Sequence, residues 1–163
     1  MLPRVRRLQK ACRRAGIELI HVRVAHLTKD GRDGPRSGPA PLVQVERDGR
    51  DDEFLPEVAP VGDEIVISKT TASAFNSSQI DQVLRNLDID RLWVSGVVTQ
   101  GCVELTARDA ADRGYYVTLA TDACASTTRE LHDDALARMA NVRLMYLRKV
   151  DELLALLLGV STA

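Results

Sequence analysis

The chain has 163 residues, of which 45% are hydrophobic and 28% charged, with a formal net charge of -1 at pH 7. This length and composition are ordinary for one globular unit, so we predict a single domain over residues 1–163. Acidic and basic residues are mixed along the chain, which gives no electrostatic reason to expect nucleic acid or an anionic membrane as a partner. A small-molecule substrate is therefore expected.

The three cysteines, Cys12, Cys102 and Cys124, are widely spaced and form no CxxC pair. That spacing gives no sign of a zinc site or a redox motif and favours reduced thiols in the cytoplasm. The N-terminal residues carry arginines throughout and lack the apolar segment of a signal peptide. The apolar run near the C-terminus, "ELLALLLGV", is too short to span a bilayer. We therefore predict a cytoplasmic protein.

The first predicted elements are a helix and a strand. Pro3, Val5, Leu8 and Cys12 have helical spacing with arginines on the other face, and "IELIHVRV" (17–24) is typical of a largely buried strand. Residues 25–60 are rich in Gly and Pro and show no sustained period. A connection of this length indicates either a lid or binding loop or a mobile insertion, and the sequence leaves both open.

Strands then alternate with helices to the end of the chain. The predicted strands cover 64–68, 91–98, 115–121 and 142–147, and the helices cover about 78–86, 102–113, a segment from about 129, and a last segment. This order predicts an α/β fold with three α/β/α layers and a mainly parallel, Rossmann-like sheet. Ligands bind such sheets at the carboxyl ends of the strands, where Lys69 and residues 98–102 fall.

The turn around Cys102 has part of the glycine pattern of a phosphate-binding loop. Gly96 and Gly101 stand five apart after a strand, but Cys102 and Val103 occupy the positions where a phosphate loop needs Lys and Ser or Thr. A dinucleotide fingerprint also fails, because no third glycine follows. No cofactor is therefore expected.

Cys102 itself has two interpretations. At the first turn of a helix, unpaired amides and a partial positive charge stabilise a thiolate and a nearby oxyanion, which favours a nucleophile. Free cysteine is also among the most buried residue types, and position alone favours packing. Cys124 follows a predicted strand and is the alternative nucleophile, whereas Cys12 lies on the apolar face of the first helix.

The stretch "SGVVTQGCVELTARDAADRGYYVTLATDACAS", with "GDEIVISKTTASAF" upstream, resembles the isochorismatase-like cysteine hydrolases. These α/β/α proteins include isochorismatases, nicotinamidases, and carbamoylsarcosine and ureidoacrylate amidohydrolases. The resemblance implies an Asp-Lys-Cys triad in which Cys102 is the nucleophile and Lys69 supports the charges. It also implies a homo-oligomer.

Further site residues follow from the same resemblance. It implies a non-proline cis peptide joining Val98 to Thr99, and oxyanion-hole amides from Val98, Thr99 and Cys102. Thr71, Ser73 and Phe75 are predicted to line the substrate pocket, with core packing as the alternative for Phe75. His132 has two equal interpretations, a site residue or a capping and packing residue. No metal is expected, because His21, His26 and His132 lack the Asp-x-His spacing of the nicotinamidase branch.

The family's usual first strand, which carries the catalytic aspartate, has no match in this chain. That strand normally lies between the strands matching 17–24 and 91–98, and its omission leaves backbone groups unpaired at about 1–3 kcal/mol each when buried. Three arrangements are open: the neighbours pair directly, a partner chain supplies a strand, or the start site is misassigned and the natural protein is longer.

The function expected from the sequence is hydrolysis of a small amide or ureido C–N bond through a thioester at Cys102. Two alternatives are open. One is a catalytically impaired member that acts as a binding or assembly protein, because the chain lacks the base. The other is a vinyl-ether hydrolase of the isochorismatase type.

Overall fold

The computed structural model describes residues 1–34 and 53–159. Within these ranges the helices are α1 (Leu2–Arg14), α2 (Ala74–Ser77), α3 (Ile80–Asn86), α4 (Glu104–Asp112), α5 (Arg129–Met139) and α6 (Val150–Leu157). The strands are β1 (Ile20–Val24), β2 (Ile65–Lys69), β3 (Arg91–Val97), β4 (Tyr116–Ala125) and β5 (Met145–Arg148). A 3₁₀ helix covers Pro56–Val58, and a π-helical turn covers Thr99–Val103. We call Thr99–Val103 the cysteine turn.

The strands form two parallel sheets. β1 pairs with β2 from Ile20 opposite Ile65 to Val24 opposite Lys69, and the second sheet has the order β3-β4-β5. Among the described residues no backbone hydrogen bond joins one sheet to the other. The parallel α/β architecture is confirmed, but the sheet is divided, and direct pairing of the strands on either side is not observed.

The core has two parts because helices cover both faces of the second sheet. Val117 and Leu119 of β4 pack into a large cluster with α3, α4 and α5, and side chains of β1 and β2 pack into the same cluster. Ala120 and Ala123 of β4 face a smaller cluster built with α1 and α6. The alternation along β4 is that of a strand buried on both faces. The two sheets are therefore connected through side chains.

Helix α1 connects the two sheets on one face. Its apolar positions Leu8 and Cys12 are buried against β4 and α6. On the other side, Gln9 Nε2 donates to the Val58 carbonyl at 3.0 Å. Arg13 Nε donates to Glu64 Oε1 at 2.6 Å, directly before β2. The amphipathic pattern read from the sequence thus gives a helix with one face on the second sheet and polar links to the first.

The predicted helix boundaries differ from the observed ones at the cysteine turn and near Ser73. Helix α4 begins at Glu104 rather than at 102, because the cysteine turn precedes it. The predicted helix at 78–86 is α3, and a short α2 precedes it with Ser73 as its N-cap. Of the predicted loop at 25–60, residues 35–52 lie outside the described residues. In the described ranges no helix has the length and apolar character needed to cross a membrane.

Candidate active site

Lys69 ends β2 and is almost completely buried, with 4% of its surface exposed. Its Nζ donates hydrogen bonds to the carbonyls of Thr71 at 2.7 Å and Ala72 at 2.9 Å. The same Nζ lies 3.3 Å from Cys102 Sγ, although the two residues are 33 positions apart in the chain. The structure thus brings together the two residues that the resemblance implied as catalytic.

The cysteine turn places the Cys102 thiol directly after β3. The Val98 carbonyl accepts from the amides of Gly101 at 3.0 Å and Val103 at 3.3 Å, which closes the turn. Gly101 has φ -116° and ψ -106°, outside the helical region. A Cβ on Gly101 would lie 3.0 Å from Val98 Cγ2, so the turn has little room for a side chain there.

The predicted position of the cis peptide is wrong by one bond. The bond joins Val97 to Val98, rather than Val98 to Thr99. The reason lies in where the strand ends: β3 includes Val97, so the backbone changes direction at the bond that leaves the strand. Thr99 instead begins the cysteine turn and is completely buried.

The Lys69 ammonium has an unusual set of partners for a buried charge. Its hydrogen-bond partners are two carbonyls and one sulfur, and no carboxylate of a described residue forms an ion pair with it. A buried ammonium is costly unless it is paired with an opposite charge. A negative charge on Cys102 Sγ would supply that pairing at 3.3 Å. The contact therefore places a positive charge beside the sulfur of Cys102.

Glu104, two residues after Cys102, is the carboxylate nearest to Cys102 in sequence, but two arginines bind its carboxylate. Its Oε1 accepts from Arg108 at 3.0 Å and its Oε2 from Arg138 at 2.7 Å. Burial alone would raise the pKa of Glu104, but Arg138 and Arg108 outweigh it and hold the pKa below its ordinary value. Glu104 therefore links α4 to α5 and is not available as a base.

Two further contacts hold the cysteine turn against α5 and the segment before it. Thr99 Oγ1 lies 2.7 Å from His132 Nδ1, and Ser126 Oγ donates to Gln100 Oε1 at 2.6 Å. From the sequence, His132 had two interpretations, and the pair of Gln100 and Ser126 was not identified. Each pair joins distant positions in the chain, so no local pattern could have found it.

The predicted pocket residues have well-defined contacts. Thr71 Oγ1 donates to the Ser73 carbonyl at 3.0 Å, and Ser73, 2% exposed, donates from its hydroxyl to Asp109. Phe75 is 8% exposed and lies in the main core, with its ring centroid 5.8 Å from that of Tyr115. Packing is thus the observed role of Phe75, and contact of Thr71 or Ser73 with substrate stays a prediction.

The other two cysteines are buried and have less reactive environments. Burial raises the pKa of Cys12 and raises that of Cys124 to about 11. Both residues are about 5% exposed or less, whereas Cys102 is partly exposed. Among the described residues no group of three or more His, Cys, Asp or Glu side chains could hold a metal ion.

Comparison with known proteins assigns the chain to a family. A model described as an isochorismatase domain matches residues 1–148. The chain is 34% identical over 151 residues to Nicotinamidase 3 of Arabidopsis thaliana, covering 91% of this chain and 75% of that protein. It is 28% identical over 120 residues to N-carbamoylsarcosine amidase of an Arthrobacter species, covering 71% of this chain and 46% of that protein.

The fold agrees with these matches. An isochorismatase family protein from Desulfovibrio vulgaris has a solved structure with a TM-score of 0.85 and 27% identity, covering 96% of this chain and 84% of that one. The chain belongs to the isochorismatase family, whose members are hydrolases, and the resemblance found in the sequence is confirmed.

Proposed function

We propose that the protein hydrolyses a C–N bond of a small amide or ureido compound through a thioester at Cys102. The observation that carries the proposal is the 3.3 Å contact between the Cys102 thiol and the buried Lys69 ammonium. A thiolate is the strongest nucleophile among ordinary side chains for acyl transfer. The similarity to proteins named nicotinamidase and N-carbamoylsarcosine amidase supports an amide-type substrate.

The reaction proceeds in two stages. Cys102 Sγ attacks the carbonyl carbon, and backbone amides of Val98, Thr99 and Cys102 are the candidate donors to the oxyanion that forms. The C–N bond then breaks, the nitrogen leaves with a proton as ammonia or an amine, and an acyl thioester remains on Cys102. Water attacks this thioester, which releases the acid and returns the thiol.

A general base is needed to move the protons, and it is the part of the site that the described residues do not supply. No carboxylate of a described residue binds Lys69 or Cys102. We propose that an aspartate on an additional strand, contributed by a longer form of the protein or by a partner chain, completes the site. The separation of the β1-β2 sheet from the β3-β4-β5 sheet is consistent with such a strand.

Ammonia release from a panel of small amides tests the activity. The panel includes nicotinamide, N-carbamoyl amino acids and simple ureido acids, with Cys102→Ser as the control. We expect the natively expressed protein to release ammonia from at least one compound, and Cys102→Ser in the same form to release none. Intact-mass measurement after rapid quenching with acid should show the acyl group as added mass on the wild-type chain. Equal release by both proteins would contradict the proposal.

The second candidate is a binding or assembly protein that keeps the fold and the cysteine but does not turn over. The lack of a carboxylate beside Lys69 and Cys102 among the described residues favours it. The intact mass of the natively expressed protein separates the two. A mass above that of the 163-residue chain supports the hydrolase with a longer natural form. A mass equal to it, with no ammonia release and no partner chain, supports the binding protein.

A further inference from the structure

One hydrogen bond that the proposed reaction does not use joins the cysteine turn to α5. Thr99, the first residue of the turn, has 0% of its surface exposed, and its Oγ1 lies 2.7 Å from His132 Nδ1. Within the described residues this is the one hydrogen bond of the Thr99 side chain. A buried hydroxyl without a partner is unfavourable. His132 therefore determines where the Thr99 hydroxyl lies.

We propose that His132 is a positioning residue: through the Thr99 hydroxyl it fixes the cysteine turn and thereby sets the position of the Cys102 thiol beside Lys69. The inference rests on the proposed function, because it assigns a role at the same nucleophile. His132 acts through Thr99, and no contact with substrate is required of it. Which of the two atoms donates the proton depends on the histidine tautomer.

The turn needs such a link because its own backbone is irregular. Gly101 has non-helical angles, and the Val98 carbonyl is shared between two amides. Among the described residues, the sulfur of Cys102 has one polar side-chain partner, Lys69. Contacts outside the turn therefore add to its own two backbone hydrogen bonds. The hydrogen bond to His132 provides one at Thr99, where the turn begins.

Of the alternative roles, capping and packing, the capping of α5 is already filled by another residue. Thr128 is the N-cap, and its Oγ1 accepts from the Leu131 amide at 3.3 Å. His132 lies within the first turn of α5, where its side chain is not needed for the cap. Its 2.7 Å contact instead reaches a residue 33 positions away, at the start of the cysteine turn.

The test measures the rate at which iodoacetamide alkylates Cys102, together with the melting temperature, for four single variants and for the double variant of Thr99→Val with His132→Leu. Thr99→Val and His132→Leu remove the hydrogen bond, and His132→Asn keeps a polar group near the position of Nδ1. Thr128→Val is the matched control, because it weakens the same end of α5 without touching Thr99. Rates are compared at one pH and well below the lowest melting temperature.

We expect Thr99→Val and His132→Leu each to lower the alkylation rate at least about threefold, because small displacements of a reacting atom reduce its rate steeply. The double variant should be no slower than the slower single variant, since both remove one bond. His132→Asn should recover most of the rate. Thr128→Val should lower the melting temperature and leave the rate unchanged.

The proposal is overturned if Thr99→Val and His132→Leu lower the melting temperature but alkylate at the wild-type rate, as Thr128→Val does. If His132→Leu does not fold, Thr99→Val decides the question, because valine has nearly the size of threonine and leaves no unpaired hydroxyl. Alkylation requires no substrate. A panel of amides that all remain intact would therefore count against the proposed function without affecting this test.

Discussion

At the scale of the residue, the three cysteines differ in environment rather than in chemistry. Cys12 and Cys124 lie among apolar side chains, where burial disfavours the thiolate, and the pKa of Cys124 is raised to about 11. Cys102 is partly exposed and lies 3.3 Å from an ammonium. Reactivity of a cysteine follows its thiolate content and its access to solvent. Partial exposure and the neighbouring ammonium therefore predict that Cys102 is the most reactive of the three thiols.

The first prediction is selective alkylation. Iodoacetamide at neutral pH should label Cys102 in the folded protein and leave Cys12 and Cys124 unmodified, because both are buried and have raised pKa values. Peptide mapping by mass spectrometry identifies the labelled cysteines. The Cys102→Ser variant should take up no label until denaturant is added. Labelling of Cys124 at the same rate as Cys102 would show that burial does not control reactivity here.

The second prediction concerns Lys69. Replacing it by methionine keeps an unbranched side chain that is one heavy atom shorter, and removes the positive charge beside Cys102 Sγ, so a negative charge on sulfur is no longer compensated. A unit charge at this distance in a partly buried site interacts by several kcal/mol, so we expect alkylation to slow by about tenfold or more. Intact-mass spectrometry of samples quenched at increasing times measures the alkylation rate.

The matched control for Lys69→Met is Lys10→Met. Lys10 lies on the exposed face of α1 and forms no ion pair with a described residue. Its replacement removes the same charge at a distance from the site and should leave the alkylation rate at the wild-type value. Equal slowing in both variants would mean that net charge, and not the contact with the sulfur, sets the rate.

At the scale of the element, ion pairs hold helices to strands and to one another. Glu64, directly before β2, accepts from Arg13 of α1 at 2.6 and 2.9 Å, from the Val61 amide at 2.9 Å, and lies 2.8 Å from His21 Nε2 in β1. The Arg13 guanidinium, with the other donors, lowers the pKa of Glu64 to about 2. Glu64 thus joins α1, β1 and β2 through one carboxylate.

The third prediction is a pH-dependent loss of this link. Because the pKa of Glu64 is lower in the folded chain than its ordinary 4.5, the stabilisation is complete above about 4.5 and is lost as the pH falls toward about 2. Glu64→Gln should reduce the free energy of unfolding by about 2 kcal/mol at pH 7, since the partly exposed pair is screened by solvent. Near pH 2 the variant and the wild type should be equally stable.

Urea unfolding at pH 7, 4 and near 2 measures this difference. The control is Glu57→Gln, in an exposed glutamate of the 3₁₀ helix that forms no ion pair with a described residue. We expect Glu57→Gln to change stability by less than about 0.5 kcal/mol at every pH. A constant difference between Glu64→Gln and wild type from pH 7 to 2 would contradict the role given to the Glu64 carboxylate.

At the scale of the whole molecule, the division into two sheets is the main structural feature. β4 pairs on both sides, with β3 and with β5, and four of its residues have 0% of their surface exposed. β1 and β2 form a two-stranded sheet, and its connections to the rest are the shared core and the α1 contacts. A two-stranded sheet is stable only when it is packed against other elements.

The fourth prediction concerns amide hydrogen exchange and follows from the difference in pairing between β4 and the β1-β2 sheet. Peptides covering 116–125 should exchange slowest, because opening β4 requires loss of pairing on two sides and of the buried core. Peptides covering 20–24 and 65–69 should exchange faster, because these strands pair on one side within the described residues. Mass-spectrometric exchange measures this difference. Equal protection of both sheets would mean that the β1-β2 sheet does not open independently.

Much of the fold and part of the site could be predicted from the sequence because they depend on local patterns. The alternation of strands and helices after residue 64, the amphipathic α1 and the parallel order follow from periodicity and connection length. The boundaries near Ser73 and at the cysteine turn were missed, because side-chain caps and an irregular turn override the apolar period. Cys102 and Lys69 were found through the resemblance of their motifs, whereas position alone favoured packing for Cys102.

The sequence by itself determined which elements form, the family, and which cysteine and lysine to examine. Only the tertiary structure decided that Lys69 Nζ lies 3.3 Å from Cys102 Sγ, that His132 binds Thr99, and that Glu104 is neutralised by two arginines. It also decided that the strands form two sheets. The physical reason is that, apart from the local pair of Glu104 with Arg108, these contacts join residues more than 30 positions apart, or strands separated by whole helices. They therefore depend on the path of the chain rather than on any local pattern.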